Sequence, residues 1–157
     1  MINMKWNVPK LREMMVEEIN NHLGMAYNFG GFGEPIDHGL DCSGLAMRAL
    51  WSAGFNLRDR TAYSLWMLFR ECVIPRQEAE PGDLYFYGRP VNHVMVCYRK
   101  WNDKYRMLAG ACSGNSSTKT LDEAWRRVAY VKIVRDTYWS NNLVGVVNPF
   151  KLNEGGK

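Results

Sequence analysis

The sequence holds only three histidines, and its four cysteines, Cys42, Cys72, Cys97 and Cys112, form no CxxC pair and have no histidine at ligand spacing. That pattern argues against the common zinc frameworks, and no metal or other cofactor is expected. Long apolar runs are missing as well. Nothing approaches the roughly 20 residues a membrane-spanning helix requires, and the opening MINMKWNVPKLREMM has no apolar stretch of signal-peptide length. The expectation is a chain made in the cytoplasm that reaches any external target by another route. Charge of one sign is scarce: 20 basic against 16 acidic residues leave a net charge of +4, which favours a polyanionic surface without specifying one. The densest basic clusters are the pairs Arg99 with Lys100 and Arg126 with Arg127, too small for a nucleic-acid motif. Repeats, linkers and low-complexity segments are absent too, so residues 1–157 read as a single domain.

What is present is core material. Of 157 residues, 46% are hydrophobic and 13% aromatic, enough for one domain with a real interior. Cys72, Cys97 and Cys112 each lie in or beside an apolar run, where a reduced cysteine behaves as a small core residue; free thiols are expected.

Apolar spacings of three and four predict a helix from Pro9 to Leu23, a second from Cys42 to Ala53 and a third, capped by Thr61, running to about Cys72. Between the first two, MAYNFGGFGEPIDHG prescribes a loop with unusual backbone angles that approaches something closely. After Pro81 and Gly82 the texture changes. DLYFY, HVMVCY, YRMLAGA, VAYVKIV and LVGVV are short β-branched or aromatic runs, read as five strands of a mostly antiparallel sheet with a short helix from Leu121 to Arg127. Helices first and strands second make the fold α+β.

The stretch GLDCSGLAMRAL, residues 39–50, carries more polar chemistry than a core helix needs. A cysteine at a helix N-terminus lies near the positive end of the macrodipole and the free backbone amides, both of which favour thiolate. Asp41 can cap that helix, and Ser43 adds a second polar group at the same rim. A nucleophilic cysteine also needs a base, normally a histidine brought near by the fold. His22 ends the first helix and His38 sits in the glycine-rich loop, where either can be an ordinary solvated side chain. His93 opens the strand HVMVCY directly after the turn GRPVN. It shares one strand face with Met95 and Cys97; should that face meet the helix of Cys42, the imidazole reaches the sulfur. Asp83, in PGDL, reads as a turn residue.

Taken in series, GMAYNFGG at 24–31, DCSGL at 41–45, Arg60 with Thr61, PGDL at 81–84 and the histidine opening HVMVCY resemble the NlpC family of papain-like cell-wall endopeptidases. The resemblance implies a papain-like fold, Cys42 as nucleophile and His93 as general base and then acid. It further implies Tyr27 beside the sulfur, and Asp41 and Ser43 lining the subsite for the polar end of a stem peptide. The implied partner is bacterial peptidoglycan, cut by acyl transfer through a thioester. The family places a third polar residue, usually histidine, on the following strand to orient the imidazole. Here that position falls on Ala109 or Gly110, so a main-chain carbonyl, Ser113 or Asn115 is left to supply the bond. Small size and basic charge suit a bacteriophage endolysin or a tail-associated wall hydrolase with tail proteins as partners. Two alternatives stand beside it: an amidase or acyltransferase on another substrate, and a catalytically degenerate structural module of a phage tail.

Overall fold

A computed structural model describes residues 7–31, 39–115 and 117–153; His38 and the 32–38 part of the glycine-rich loop lie outside them. Each helix opens on a polar residue that satisfies one of its free N–H groups. Asn7 accepts from Lys10 N before α1 (Val8–Asn20), Asp41 from Gly44 N before α2 (Cys42–Ser52), and Thr61 from Ser64 N before α3 (Ala62–Phe69). Thr120 does the same for α4 (Leu121–Arg127), accepting from Glu123 N. The third helix stops earlier than its apolar spacing suggests, because the chain tightens into a 3-10 turn over Arg70–Cys72 that feeds the first strand.

The sheet has six strands, one more than expected: β1 (Val73–Ile74), β2 (Leu84–Tyr87), β3 (His93–Lys100), β4 (Arg106–Cys112), β5 (Tyr130–Arg135) and β6 (Leu143–Val147). They pair antiparallel throughout in the order β1-β6-β2-β3-β4-β5. The two residues of β1 are too few to show an alternation, which is why sequence patterning passes over it.

Both faces of this sheet are buried. On one side α2 packs on β3 and β4, with Leu45, Ala46 and Leu50 against Val94, Val96, Ala109 and Ala111. On the other, Tyr85, Tyr87, Met95, Cys97, Leu108 and Cys112 form a second cluster. Each fully buried Leu or Val contributes about 1.5–3 kcal/mol by leaving water. All four cysteines are buried free thiols.

Two connecting segments are structural ties, the first as its glycines led one to expect and the second not. The glycine-rich loop is a backbone clasp: a Cβ on Gly44 would fall on the Gly31 carbonyl, one on Gly31 on the Gly39 carbonyl, and one on Gly39 on the Ala26 carbonyl. Only glycine lets these main chains touch, and Asn28 N donates to Leu40 O at 3.0 Å to hold them there. Asp83 is likewise more than a turn residue. Fully buried, it accepts from Arg12 Nη1 at 2.8 Å and from Glu80 N at 2.8 Å, tying α1 to the start of β2. His22, one of the histidines read as solvated, is buried, with Nδ1 2.9 Å from Glu18 O.

Candidate active site

Cys42 is the first residue of α2 and lines a cavity of about 320 Å³ together with Tyr27, Asp41, Ser43, Arg60 and Asn92. The clasp described above delivers Tyr27 to this wall, and the N-cap geometry delivers Asp41 and Ser43. The pairing of β3 with β4 runs only as far as Val96↔Ala109. Beyond its end the Val94 N–H faces the Cys42 sulfur, as does the Ser43 N–H. The thiol is therefore seated at the opening of β3, next in the chain to His93.

Its protonation differs from the expected thiolate. Burial, reinforced by the neighbouring Asp41 carboxylate, pushes the Cys42 thiol up to about 12, outweighing the two backbone donors. Here desolvation wins over the helix terminus. Tyr27 is raised as well, by burial first and then by Cys42 and Asp41. Asp41 uses both oxygens on the protein itself: Oδ1 accepts from Gly44 N at 2.8 Å and from Ser43 Oγ at 3.2 Å, and Oδ2 from Gly30 N at 2.8 Å. The carboxylate thus fixes the clasp and the helix head together.

His93 alternates with the second set of β3 residues. The face that meets α2 is that of Val94 and Val96, whereas Met95 and Cys97, with which His93 alternates, belong to the second cluster. The condition set from the sequence, that the face of Met95 and Cys97 meet the helix, is thus not met, while His93 itself stands at the first position of the strand. Both faces of β3 are apolar, so alternation sorts the residues into two sets without saying which set faces α2. The imidazole ring sits 5.6 Å from the Tyr87 ring and 5.6 Å from the Trp139 ring. Its Nε2 is buried with no hydrogen-bond partner among the described residues, and burial lowers its pKa to about 4. It is not among the residues that wall the cavity. Ser113 and Asn115 are engaged elsewhere: the Ser113 hydroxyl accepts from Lys132 Nζ at 3.3 Å, and Asn115 Oδ1 accepts from Ser117 N at 2.8 Å. Among the described residues no group of three His, Cys, Asp or Glu side chains is placed to hold a metal ion.

The structure thus gathers Tyr27, Asp41, Cys42 and Ser43 on one cavity wall, with His93 outside that lining at the first position of β3, next to the Val94 whose N–H faces the sulfur. Sequence reasoning assigned no role to three groups now in view. Arg60 and Asn92 line the cavity, and Arg60 Nε is buried with no hydrogen-bond partner among the described residues. Asp59 also lines it, its carboxyl raised by burial and then by Asp41. Arg60 already stands with Thr61 in the motif series, and Asp59 directly precedes it; Asn92 gives no such sign.

Residues 24–148 match the NlpC/P60 family. Curated relatives include the probable endopeptidases p60 of Listeria monocytogenes and Listeria innocua, 34% and 33% identical over 84 residues. Those 84 residues cover 52% of this chain and only 16% and 17% of the two relatives. Among solved structures, an NLP/P60-family lipoprotein-like protein of Staphylococcus aureus superposes with a TM-score of 0.62 at 24% identity, covering 88% of this chain and 41% of that one. The peptidoglycan hydrolase RipB of Mycobacterium tuberculosis gives 0.62 at 22%, covering 93% and 68%. These solved structures share the α+β fold of helices on an antiparallel sheet. With the cysteine at the head of α2 and the match running from the glycine clasp to the last strand, the chain belongs to the NlpC/P60 family.

Proposed function

We propose that the protein is a cell-wall peptidase that cuts amide bonds of peptidoglycan stem peptides by acyl transfer, with Cys42 as nucleophile and His93 as proton carrier. The observation that supports it is the seating of the Cys42 sulfur on the cavity wall against the N–H of Val94, adjacent to His93. With the thiol raised and the imidazole lowered, the resting pair is neutral. The His93 imidazole takes the thiol proton as the sulfur attacks the carbonyl carbon. The oxyanion is held by backbone N–H groups at the head of α2. The imidazolium returns its proton to the departing amine, and water then hydrolyses the thioester. Tyr27, Asp41 and Ser43 shape the wall on which the polar end of the stem peptide lies. Membership of the family, and the description of its p60 relatives as probable endopeptidases, point the same way.

A finer reading makes it a bacteriophage enzyme, an endolysin or a tail-associated hydrolase with tail proteins as partners; it rests on the net charge of +4 alone. The rival reading is a non-catalytic module. One observation favours it: of Ala109 and Gly110, the two residues on which the family's third position falls, neither has a polar side chain, and Met95 fills the space beside Gly110. Incubation with purified sacculi and mass spectrometry of the released muropeptides decides. Release by the wild type that disappears in both Cys42→Ala and His93→Ala supports the peptidase; a wild type that releases nothing supports the module.

A further inference from the structure

The ring of His93 is one corner of a closed aromatic triangle. Tyr87 and His93 have centroids 5.6 Å apart at 47°, His93 and Trp139 5.6 Å apart at 69°, and Tyr87 and Trp139 5.8 Å apart at 23°. Tyr87 comes from β2, directly opposite His93 in the ladder. Trp139 comes from the connection between β5 and β6. The backbone there is unusual: Trp139 holds a φ of 52°, a left-handed conformation that glycine or asparagine adopts readily and a bulky residue does not. A large indole kept at such a position needs a reason in its side chain.

At Gly110, one of the two positions where a polar orienting group would stand, the space is closed. A Cβ on Gly110 would lie 2.7 Å from Met95 Cε and 3.4 Å from Cys112 Sγ, so the side chain of Met95 occupies it. His93 Nε2 finds no hydrogen bond among the described residues, and what fixes the ring is packing. We propose that Trp139, stacked on Tyr87, is the positioning residue for His93, an aromatic clamp standing in for the missing polar third member. Rings in edge-to-face and offset contact resist rotation of the imidazole about its last side-chain bond. Tyr87 is the one titratable side chain in ring contact with His93 among the described residues.

This inference rests on the reading of Cys42 and His93 as the working pair, and the test separates the two. Trp139 is 44% exposed, so Trp139→Ala and Trp139→Phe should both fold, which a thermal melt checks. In Trp139→Ala, kcat on a soluble muropeptide falls on the order of 10²-fold with KM little changed. The His93 pKa, followed by NMR, climbs from about 4 toward its ordinary 6.5 as water enters. Trp139→Phe restores most of kcat and the low pKa. An unaltered kcat and an unaltered His93 titration in Trp139→Ala overturn the clamp, as does a loss that Phe fails to rescue. Should the wild type itself cleave nothing, the peptidase reading fails, and the NMR titration alone decides whether the indole holds the imidazole.

Discussion

Protonation at Cys42 and His93 decides how the site operates. A helix terminus alone would favour thiolate, but the sulfur is only 8% exposed and stands beside Asp41, and burial moves it the opposite way, to about 12. His93 moves down to about 4 for the same reason: a dry setting disfavours the charged form of either group. The acid limb of kcat/KM should therefore lie near pH 4, below which the base is protonated, rather than near the ordinary 6.5. Alkylation of Cys42 should be slow at pH 7 and accelerate only in the alkaline range. Rapid alkylation below pH 7 would reveal a preformed thiolate–imidazolium pair and refute this account. The same shift carries a stability term. Between pH 6.5 and 4 the unfolded histidine takes up a proton that the folded one refuses, so stability falls as pH drops through that window. Cys42 was legible because DCSGL joins a capping residue to a nucleophile at a helix start. The surroundings of His93 were not, since they depend on an indole from a loop distant in sequence, and no local pattern encodes such a contact.

Elements in this fold are joined by a few buried polar ties, and the tie between α1 and β2 is the most exposed to test. Arg12 donates to Asp83 Oδ1 at 2.8 Å, to Pro81 O at 2.7 Å and to Asn148 Oδ1 at 3.2 Å, so one guanidinium joins the first helix, the PGDL turn and the chain after β6. Burial raises the Asp83 carboxyl to about 6 even though Arg12 and the Glu80 N–H pull it down. Removing the cation leaves a buried carboxylate without its counter-ion. Arg12→Met should destabilise the protein by about 3 kcal/mol at pH 7, read from urea unfolding. Because the folded Asp83 holds its proton more tightly than the unfolded one, lowering the pH toward 5 neutralises the orphan and shrinks that loss. A deficit that is equal at both values would mean the salt bridge is not what Arg12 contributes. From sequence, PGDL announced a turn, and turn chemistry accounts for it fully; the long-range arginine that makes the aspartate structural leaves no mark within the tetrapeptide.

At the scale of the whole molecule, the order of helices and then strands was readable because each element carries its own period and its own stop: Thr61 and Asp41 as caps, Gly54 with a φ of 91° after α2, and β-branched runs bounded by turns. What escaped is what periodicity cannot carry, namely the two-residue β1 and which face of a doubly buried strand meets the helix. That double burial bears on the cysteines. A sheet covered on both sides gives a 157-residue chain enough interior to stand without cross-links, and all four thiols are spent inside it. Burial also raises Cys97 to about 12 and Cys112 to a lesser degree, which suppresses thiolate and with it disulfide exchange. The melting temperature should therefore be the same with and without a reductant, and a chromogenic disulfide reagent should count four thiols after unfolding in guanidinium but react only slowly with the native protein. A reductant-dependent melt, or fewer than four thiols in the unfolded chain, would mean that a bridge holds part of the fold and that the two-sided core is not sufficient by itself.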